Sequence, residues 1–279
     1  MWPHSESIPL PATVFTILRD LIHERAGIFY ENDKRELLAD KLSSRVMDGG
    51  FGSFLDYYYL LKYGPDAEPE WSQVLDALSV PETYFYRETG QINALITEIL
   101  PAYVAACPGQ LVQIWCAACA TGEEPLTIAM ALLEADWFER VPIKIIASDA
   151  SPAAITKAQD GVYRERSFRT TPKALRDKYF TAVSGGWKIA PEVSSRVEFA
   201  IANLMNLDQI NHFARSPFVF CRNVFIYFSS EAIVQTVKHF ARKMKRPGYL
   251  FVGASESLLK LSTDFELQAA GEGFVYQLK

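Results

Sequence analysis

Two carboxylates carry the first chemical signal in this chain. Glu123 follows a cluster of small residues (Ala117, Ala118, Ala120, Thr121 and Gly122), and Asp149 ends an apolar run 26 residues further on. Small side chains at a turn let a ligand approach the backbone, and the N–H groups that open a helix can face it. No Lys follows the glycine as in a phosphate-binding loop, and no G-x-G-x-x-G dinucleotide fingerprint occurs here. A carboxylate in this place repels phosphate and favours a cation. An acid at the tip of the second strand of a βαβ unit is the usual partner of ribose hydroxyls. A cation with a ribose and no phosphate describes S-adenosylmethionine. A solvated carboxylate at a helix N-terminus, complementing the macrodipole, would explain Glu123 alone equally well.

The elements that must hold these acids are legible around them. Leu111–Trp115 is the apolar run of a buried central strand, and Ile128, Met130 and Leu133 continue a helical pattern after Glu123 and Glu124. Ile143–Ala147 gives the next strand, ending at Ser148 and Asp149, and Pro152 starts a helix that stops at Gly161. Val162–Phe180 reads as irregular or helical. Trp187-Lys188-Ile189 and Val197-Glu198-Phe199 alternate across Gly185-Gly186 and Pro191, the pattern of a small antiparallel insertion leading into a core strand. Asn203-Leu204 lies just past that strand. Pro217–Cys221 is another buried strand, ended by Arg222-Asn223. Open α/β sheets bind ligands beyond the carboxyl ends of their strands, so this pair should share a cleft with the two acids. Ser229-Ser230 caps a helix through Val234, Val237, Phe240 and Met244, Tyr249–Gly253 is a strand, and Phe265–Leu278 has the form of a hairpin. This order describes an α/β, class I (Rossmann-like) methyltransferase sheet.

The first third of the chain is different. Phe15, Leu18, Leu21 and Ile22 share one helical face, and a second helix, capped by Asn32 or Asp33, runs to Met47 with Leu37, Leu38, Leu42 and Val46 inside. Its outer face carries Lys34, Lys41 and Arg45, with Arg35 nearby. That stripe suits solvent or an acidic helix. Gly49, Gly50 and Gly52 end the helix, and two more follow, near Phe54–Tyr63 and Trp71–Leu78, across the loop Gly64–Pro69. Val80–Glu88 concentrates aromatic, hydroxyl and guanidinium groups, which points to packing between domains more than to ligand contact. A helix then resumes and ends at Pro101. The expected division is a helical domain over 1–78, a linker over 79–90 and a sheet domain over 91–279 with its insertion at about 180–196.

Composition narrows the function classes. The chain has 279 residues and a net charge of −5, which disfavours a general nucleic-acid binder. Cys116-x-x-Cys119 has redox or zinc spacing, yet no second pair or neighbouring His completes a metal site. The four cysteines are expected to be small interior residues in a reducing cytosol. No apolar run reaches transmembrane length, and Met1–Pro11 lacks the layout of a signal peptide, so a cytoplasmic protein without membrane insertion is expected.

Five stretches, in this order, resemble the CheR-type chemotaxis receptor methyltransferases: TYFYRE (83–88), ACATGEEPLTIAM (118–130), ASDASPAAITKAQDGVY (147–163), ANL (202–204) and CRNVFIYF (221–228). The resemblance implies methyl transfer from S-adenosylmethionine to glutamate side chains on the cytoplasmic helices of a chemoreceptor, giving γ-glutamyl methyl esters. It also implies an all-α N-terminal domain and a small β-subdomain inserted in the methyltransferase domain. Carried over, Thr83 and Arg87 contact the cofactor from the linker, Ala118 lies at its turn, Glu123 holds the methionine ammonium and Asp149 the ribose. Asn203, Leu204, Arg222 and Asn223 close round the rest. Arg87, Arg222 and Tyr227 are the candidates for placing the substrate carboxylate, and Lys34, Arg35, Lys41 and Arg45 for docking the receptor.

The chain departs from the family pattern at two places. Pro81 stands where the family often has an Asn, which removes one side-chain hydrogen bond to the cofactor. The inserted β-region is shorter than in members that grip a receptor's C-terminal pentapeptide, so no such tether is expected. Two rival functions remain. A nucleic-acid methyltransferase of this fold carries an Asn/Asp-Pro-Pro-aromatic run where this chain has Arg222-Asn223-Val224-Phe225. A non-catalytic scaffold that binds the cofactor within a signalling array is the other.

Overall fold

The computed structural model describes residues 8–80 and 82–279. Pro81, and with it the expected loss of a cofactor contact, lies outside the described residues, as does most of the N-terminal stretch read against a signal peptide.

Among the described residues four helices form the N-terminal domain: α1 (Ala12–Ala26), α2 (Arg35–Asp48), α3 (Phe54–Tyr63) and α4 (Ala67–Leu78). Their inner faces meet in one apolar core around Leu18, Ile22, Leu42, Tyr57 and Val74. Leu37, expected inside, is 47% exposed. No side chain caps α2, because Asn32 and Asp33 are taken into a short 3-10 turn ahead of it. α4 begins earlier than expected, as Pro69 falls in its first turn, where a missing N–H costs nothing.

A near-continuous helix follows the linker: α5 (Gly90–Ala94), a π-helical turn Leu95–Ile99, and α6 (Leu100–Ala106). Pro101 therefore does not end it. The wider turn absorbs the missing N–H, and the Ile96 carbonyl accepts instead from the Trp137 indole N–H at 3.3 Å.

The second domain continues with β1 (Val112–Ala117), α7 (Glu123–Glu134), α8 (Trp137–Arg140), β2 (Ile143–Asp149) and α9 (Pro152–Asp160). The inserted region then gives β3 (Val162–Tyr163), α10 (Lys173–Tyr179), β4 (Phe180–Val183), β5 (Gly186–Ile189) and α11 (Pro191–Ser194). The chain ends with β6 (Val197–Ile201), α12 (Leu207–Ile210), β7 (Phe218–Phe220), α13 (Ser230–Lys243), β8 (Tyr249–Phe251), β9 (Phe265–Ala270) and β10 (Gly273–Leu278). Seven strands make one sheet in the order β6-β2-β1-β7-β8-β10-β9, parallel except for β10, which runs antiparallel to both neighbours. The central strands are buried on both faces, as their unbroken apolar runs require. A second sheet, β3-β5-β4, is antiparallel, and by drawing in Val162 and Tyr163 it starts ahead of the expected insertion. Phe85 fastens this subdomain to the linker, with its ring centroid 4.7–5.3 Å from those of Tyr163, Phe168 and Phe180.

The two domains meet through backbone. Gly27 leaves α1 at φ +74°, so the next residues run beside the segment after β7: Phe29 N–H donates to Tyr227 O (2.9 Å) and Ile28 bridges to Phe228. Only glycine fits there, since a Cβ would lie 2.8 Å from the Phe228 ring. Asp76 on α4 accepts from Ser151 Oγ and from the Ala153 N–H at the start of α9.

Candidate active site

The carboxyl ends of β1, β2 and β7 face α2 and α4 across a cleft of about 330 Å³. Its size and its mixture of apolar walls and a few polar groups are those of a small-molecule site. Asp149, Ala118, Asn203, Leu204, Arg222, Asn223, Thr83, Arg87 and Tyr227 all line it, so residues spread over 145 positions of sequence converge on one space.

Asp149 forms the floor. The turn after β1 holds Ala118 and Ala120 in the left-handed region, with φ 56° and 48°, which aims the Ala120 N–H at Asp149 Oδ2 (2.8 Å). Ser151 N–H donates to the other oxygen at 2.9 Å. Burial pushes the Asp149 carboxyl above its ordinary value, against these backbone donors. Gly122, at φ +92°, then turns the chain into α7, where a Cβ would meet Ala158 at 2.9 Å and the Phe199 ring at 3.1 Å.

The Glu123 carboxylate, expected at the methionine ammonium, does not line the cleft. It is buried towards the inserted subdomain, where Thr121 Oγ1 donates to it at 2.6 Å and Ser167 Oγ at 3.0 Å. Glu124, one residue on, lines the cleft instead. Burial raises the carboxyl pKa of Glu124, and Arg222 opposes that rise.

Arg222 is buried and ties three segments together. It donates to Glu124 Oε2 (3.1 Å), to Glu88 Oε2 (3.2 Å) and to the carbonyls of Arg87 (3.0 Å) and Glu88 (3.2 Å). Its Nε–H has no partner among the described residues, a buried donor that a ligand acceptor would satisfy. Asn203 lines the cleft, yet its amide donates to Arg25 O at 2.7 Å and its oxygen accepts from the Met205 N–H, so it joins the domains. Tyr227 is 36% exposed at the mouth. Arg87 donates to Glu82 O and lies 5.5 Å over the Tyr84 ring.

The basic face of α2 divides in two. Arg45 makes a two-pronged pair with Glu70 (3.1 and 2.7 Å), and Lys41 donates to the Ala77 and Leu78 carbonyls that end α4. Both therefore brace the domain itself. Lys34 and Arg35 are exposed, and Lys34 and Lys41 line the cleft.

Several residues at the site carry no mark in the sequence. Glu256 accepts from the N–H groups of Gly253 (2.6 Å), Asn223 (2.8 Å) and Ile226 (3.3 Å), which fixes the loop after β7. Tyr30 reaches the cleft from the α1–α2 connection, and burial pushes its hydroxyl up to about 12, so it stays a donor. An isolated Glu or Tyr in a loop has no periodicity to mark it. Glu124 alone had a signal, its adjacency to Glu123.

Charge is unevenly spread along this cleft. At the floor two half-buried acids, Glu124 and Asp149, face one cation, Arg222, whose charge is shared with Glu88. At the mouth Lys34, Lys41 and Arg87 outnumber Glu82. The floor matches a ligand of net positive charge with sugar hydroxyls, and the residues present therefore fit S-adenosylmethionine. Such a floor at the carboxyl ends of a seven-stranded sheet with one antiparallel strand defines a class I methyltransferase. Residues 81–274 match the family model "CheR methyltransferase, SAM binding domain", and residues 14–79 match "CheR methyltransferase, all-alpha domain". The chain is 34% identical to chemotaxis protein methyltransferase 2 of Vibrio cholerae, over 94% of this chain and 91% of that one. It is 31% identical to chemotaxis protein methyltransferase 1 of Pseudomonas aeruginosa, over 95% and 97% of the two chains. The chain belongs to the CheR family of S-adenosylmethionine-dependent methyltransferases.

Proposed function

We propose that this enzyme methylates glutamate side chains on the cytoplasmic helices of methyl-accepting chemoreceptors, in the cytoplasm, forming γ-glutamyl methyl esters. The carrying observation is the split in charge, an acidic floor under a basic mouth. The floor suits a cationic cofactor and the mouth an anionic nucleophile. Among the described residues no helix is long and apolar enough to cross a membrane.

When bound, S-adenosylmethionine supplies an electrophilic methyl group on a sulfonium, and its transfer leaves the neutral thioether S-adenosylhomocysteine. A glutamate is already ionised near neutral pH, so no base is needed to make the nucleophile. The chain's own residues then have two tasks, aligning the carboxylate and excluding water. Asp149 and Glu124 hold the sugar and the ammonium, with Ala118, Leu204, Asn203 and Asn223 around them. Arg222 is committed to Glu124 and Glu88, so its role is to organise the floor. Arg87 and Tyr227, at the mouth, are left to offset the cost of bringing the substrate carboxylate out of water. Lys34 and Arg35, with Lys41 beside the cleft, attract an acidic helix from the α2 side. The subdomain's β4 and β5 have only four residues each, which supports action without a pentapeptide tether.

Incubation with methyl-labelled cofactor and a receptor cytoplasmic fragment should give a base-labile methyl product. Cofactor binding without any transfer would make the protein a scaffold, and transfer to nucleic acid would refute the reading altogether. Calorimetric binding of a receptor C-terminal pentapeptide would overturn the absence of a tether.

A further inference from the structure

Residues 164–173 form a basic strap beside the cleft mouth. Four cations, Arg164, Arg166, Arg169 and Lys173, stand there against one acid, Glu165, in a chain whose net charge is −5. All four are exposed. Arg169 pairs with Glu82 and stacks 3.7 Å over the Tyr84 ring, whereas Arg164, Arg166 and Lys173 have no ion pair among the described residues.

The strap is stiff and sits on the cleft wall itself. Phe85 N–H donates to Ser167 O (2.9 Å), Thr170 Oγ1 donates to Phe85 O (2.8 Å), and the Phe168 ring stacks on Phe85. Ser167 also donates to Glu123, which gives that buried acid its place in the structure. The linker residues beneath, Glu82, Tyr84 and Arg87, line the cleft directly. Arg166 is near enough to Glu82 to help hold its carboxyl below the ordinary range, after the larger effect of Arg169. Cations therefore flank the mouth from two domains, the strap on one bank and Lys34 with Lys41 on the other.

We infer that the strap is a docking surface for the acidic face of the substrate helix, which it grips one to two turns from the glutamate being methylated. This rests on the proposed methylation of receptor glutamates. A helix is about 10–12 Å across and advances about 5.4 Å per turn, so one that lowers a glutamate into the cleft must lay its neighbouring turns on the rim. With Lys41 and Arg45 engaged inside the N-terminal domain, the strap holds three unpaired cations beside this cleft, more than the exposed Lys34 and Arg35 at the start of α2. Acidic residues there would be drawn in by charge complementarity, which acts mainly on encounter and register.

Steady-state methylation of a purified receptor cytoplasmic fragment tests this. Arg166→Glu with Lys173→Glu should lower kcat/KM about tenfold or more at low salt, mostly through KM, and the gap should close as salt screens the surface. Cofactor affinity by calorimetry should be unchanged. A control of equal charge change, Lys238→Glu with Arg242→Glu on exposed positions of α13, should leave kcat/KM near the wild-type value. No loss in the strap variant, or an equal loss in the control, overturns the strap alone. Absence of transfer by the wild type overturns the proposed activity and the strap with it.

Discussion

Neighbouring residues on a helix point about 100° apart, so Glu123 and Glu124 cannot serve the same space. Which one meets the ligand depends on how the chain enters α7, and that is set by three left-handed residues, Ala118, Ala120 and Gly122. Sequence marked the turn and the pair of acids, but not the rotation that separates them, because alanine rarely adopts positive φ and gives no sign when it does. Glu124→Gln should therefore weaken S-adenosylmethionine binding about 10- to 100-fold, the loss expected for a hydrogen bond to a charged group. Glu123→Gln should leave affinity within about twofold and lower Tm instead, since its bonds to Thr121 and Ser167 are structural. Calorimetry and thermal unfolding on both variants decide the matter. Equal losses of affinity would restore Glu123 to the cofactor site. Asp149 was legible for the opposite reason, as an acid at a strand tip has one place to go.

Elements are held at the cleft by buried charge. Arg222 joins the end of β7 to α7 through Glu124 and to the linker through Glu88, while Glu256 joins the following loop to β8. The strands and most helices could be read from periodicity, because burial of one face repeats along the chain. These ties could not, since each is a single contact between distant segments. Pro101 shows the same limit in reverse: a local rule predicted a stop, and a π turn with a tryptophan donor overrode it. Removing Arg222 leaves the half-buried Glu124 without its counter-charge, a change that costs up to about 3–5 kcal/mol when one partner of a buried pair is lost. Arg222→Met should destabilise the protein on that scale in urea unfolding. In a Glu124→Gln background the same substitution should cost markedly less. Additive losses in the double-mutant cycle would show that the pair is not coupled and that Arg222 acts through the linker alone.

At the scale of the molecule, three acids near the cleft, the buried Glu123 and the half-buried Glu124 and Asp149, have carboxyl pKa values raised by desolvation. A carboxyl whose folded value lies above its unfolded one favours folding most below the ordinary carboxylate range, and that contribution is lost as pH climbs through the raised value. Glu82 and Glu88 act in the opposite sense. Arg169 lowers Glu82, and at Glu88 burial is the largest single influence but Arg222, the Ala254 N–H and Arg87 together outweigh it, so their contribution is present above the ordinary range and lost on acidification. The pH profile of the apoprotein mixes both groups, but the effect of the cofactor separates them. A cation on the floor meets Glu124 and Asp149 in their charged forms and relieves the cost of ionising them. Binding should then release protons when the pH lies between the ordinary and raised values, which calorimetry in two buffers of different ionisation enthalpy measures directly. Saturating S-adenosylmethionine should raise Tm more at pH 8 than at pH 5, and the Glu124→Gln variant should show a smaller difference between the two. A larger shift at pH 5 would mean that the floor binds its ligand with the acids protonated, and the electrostatic account of the cleft would fail.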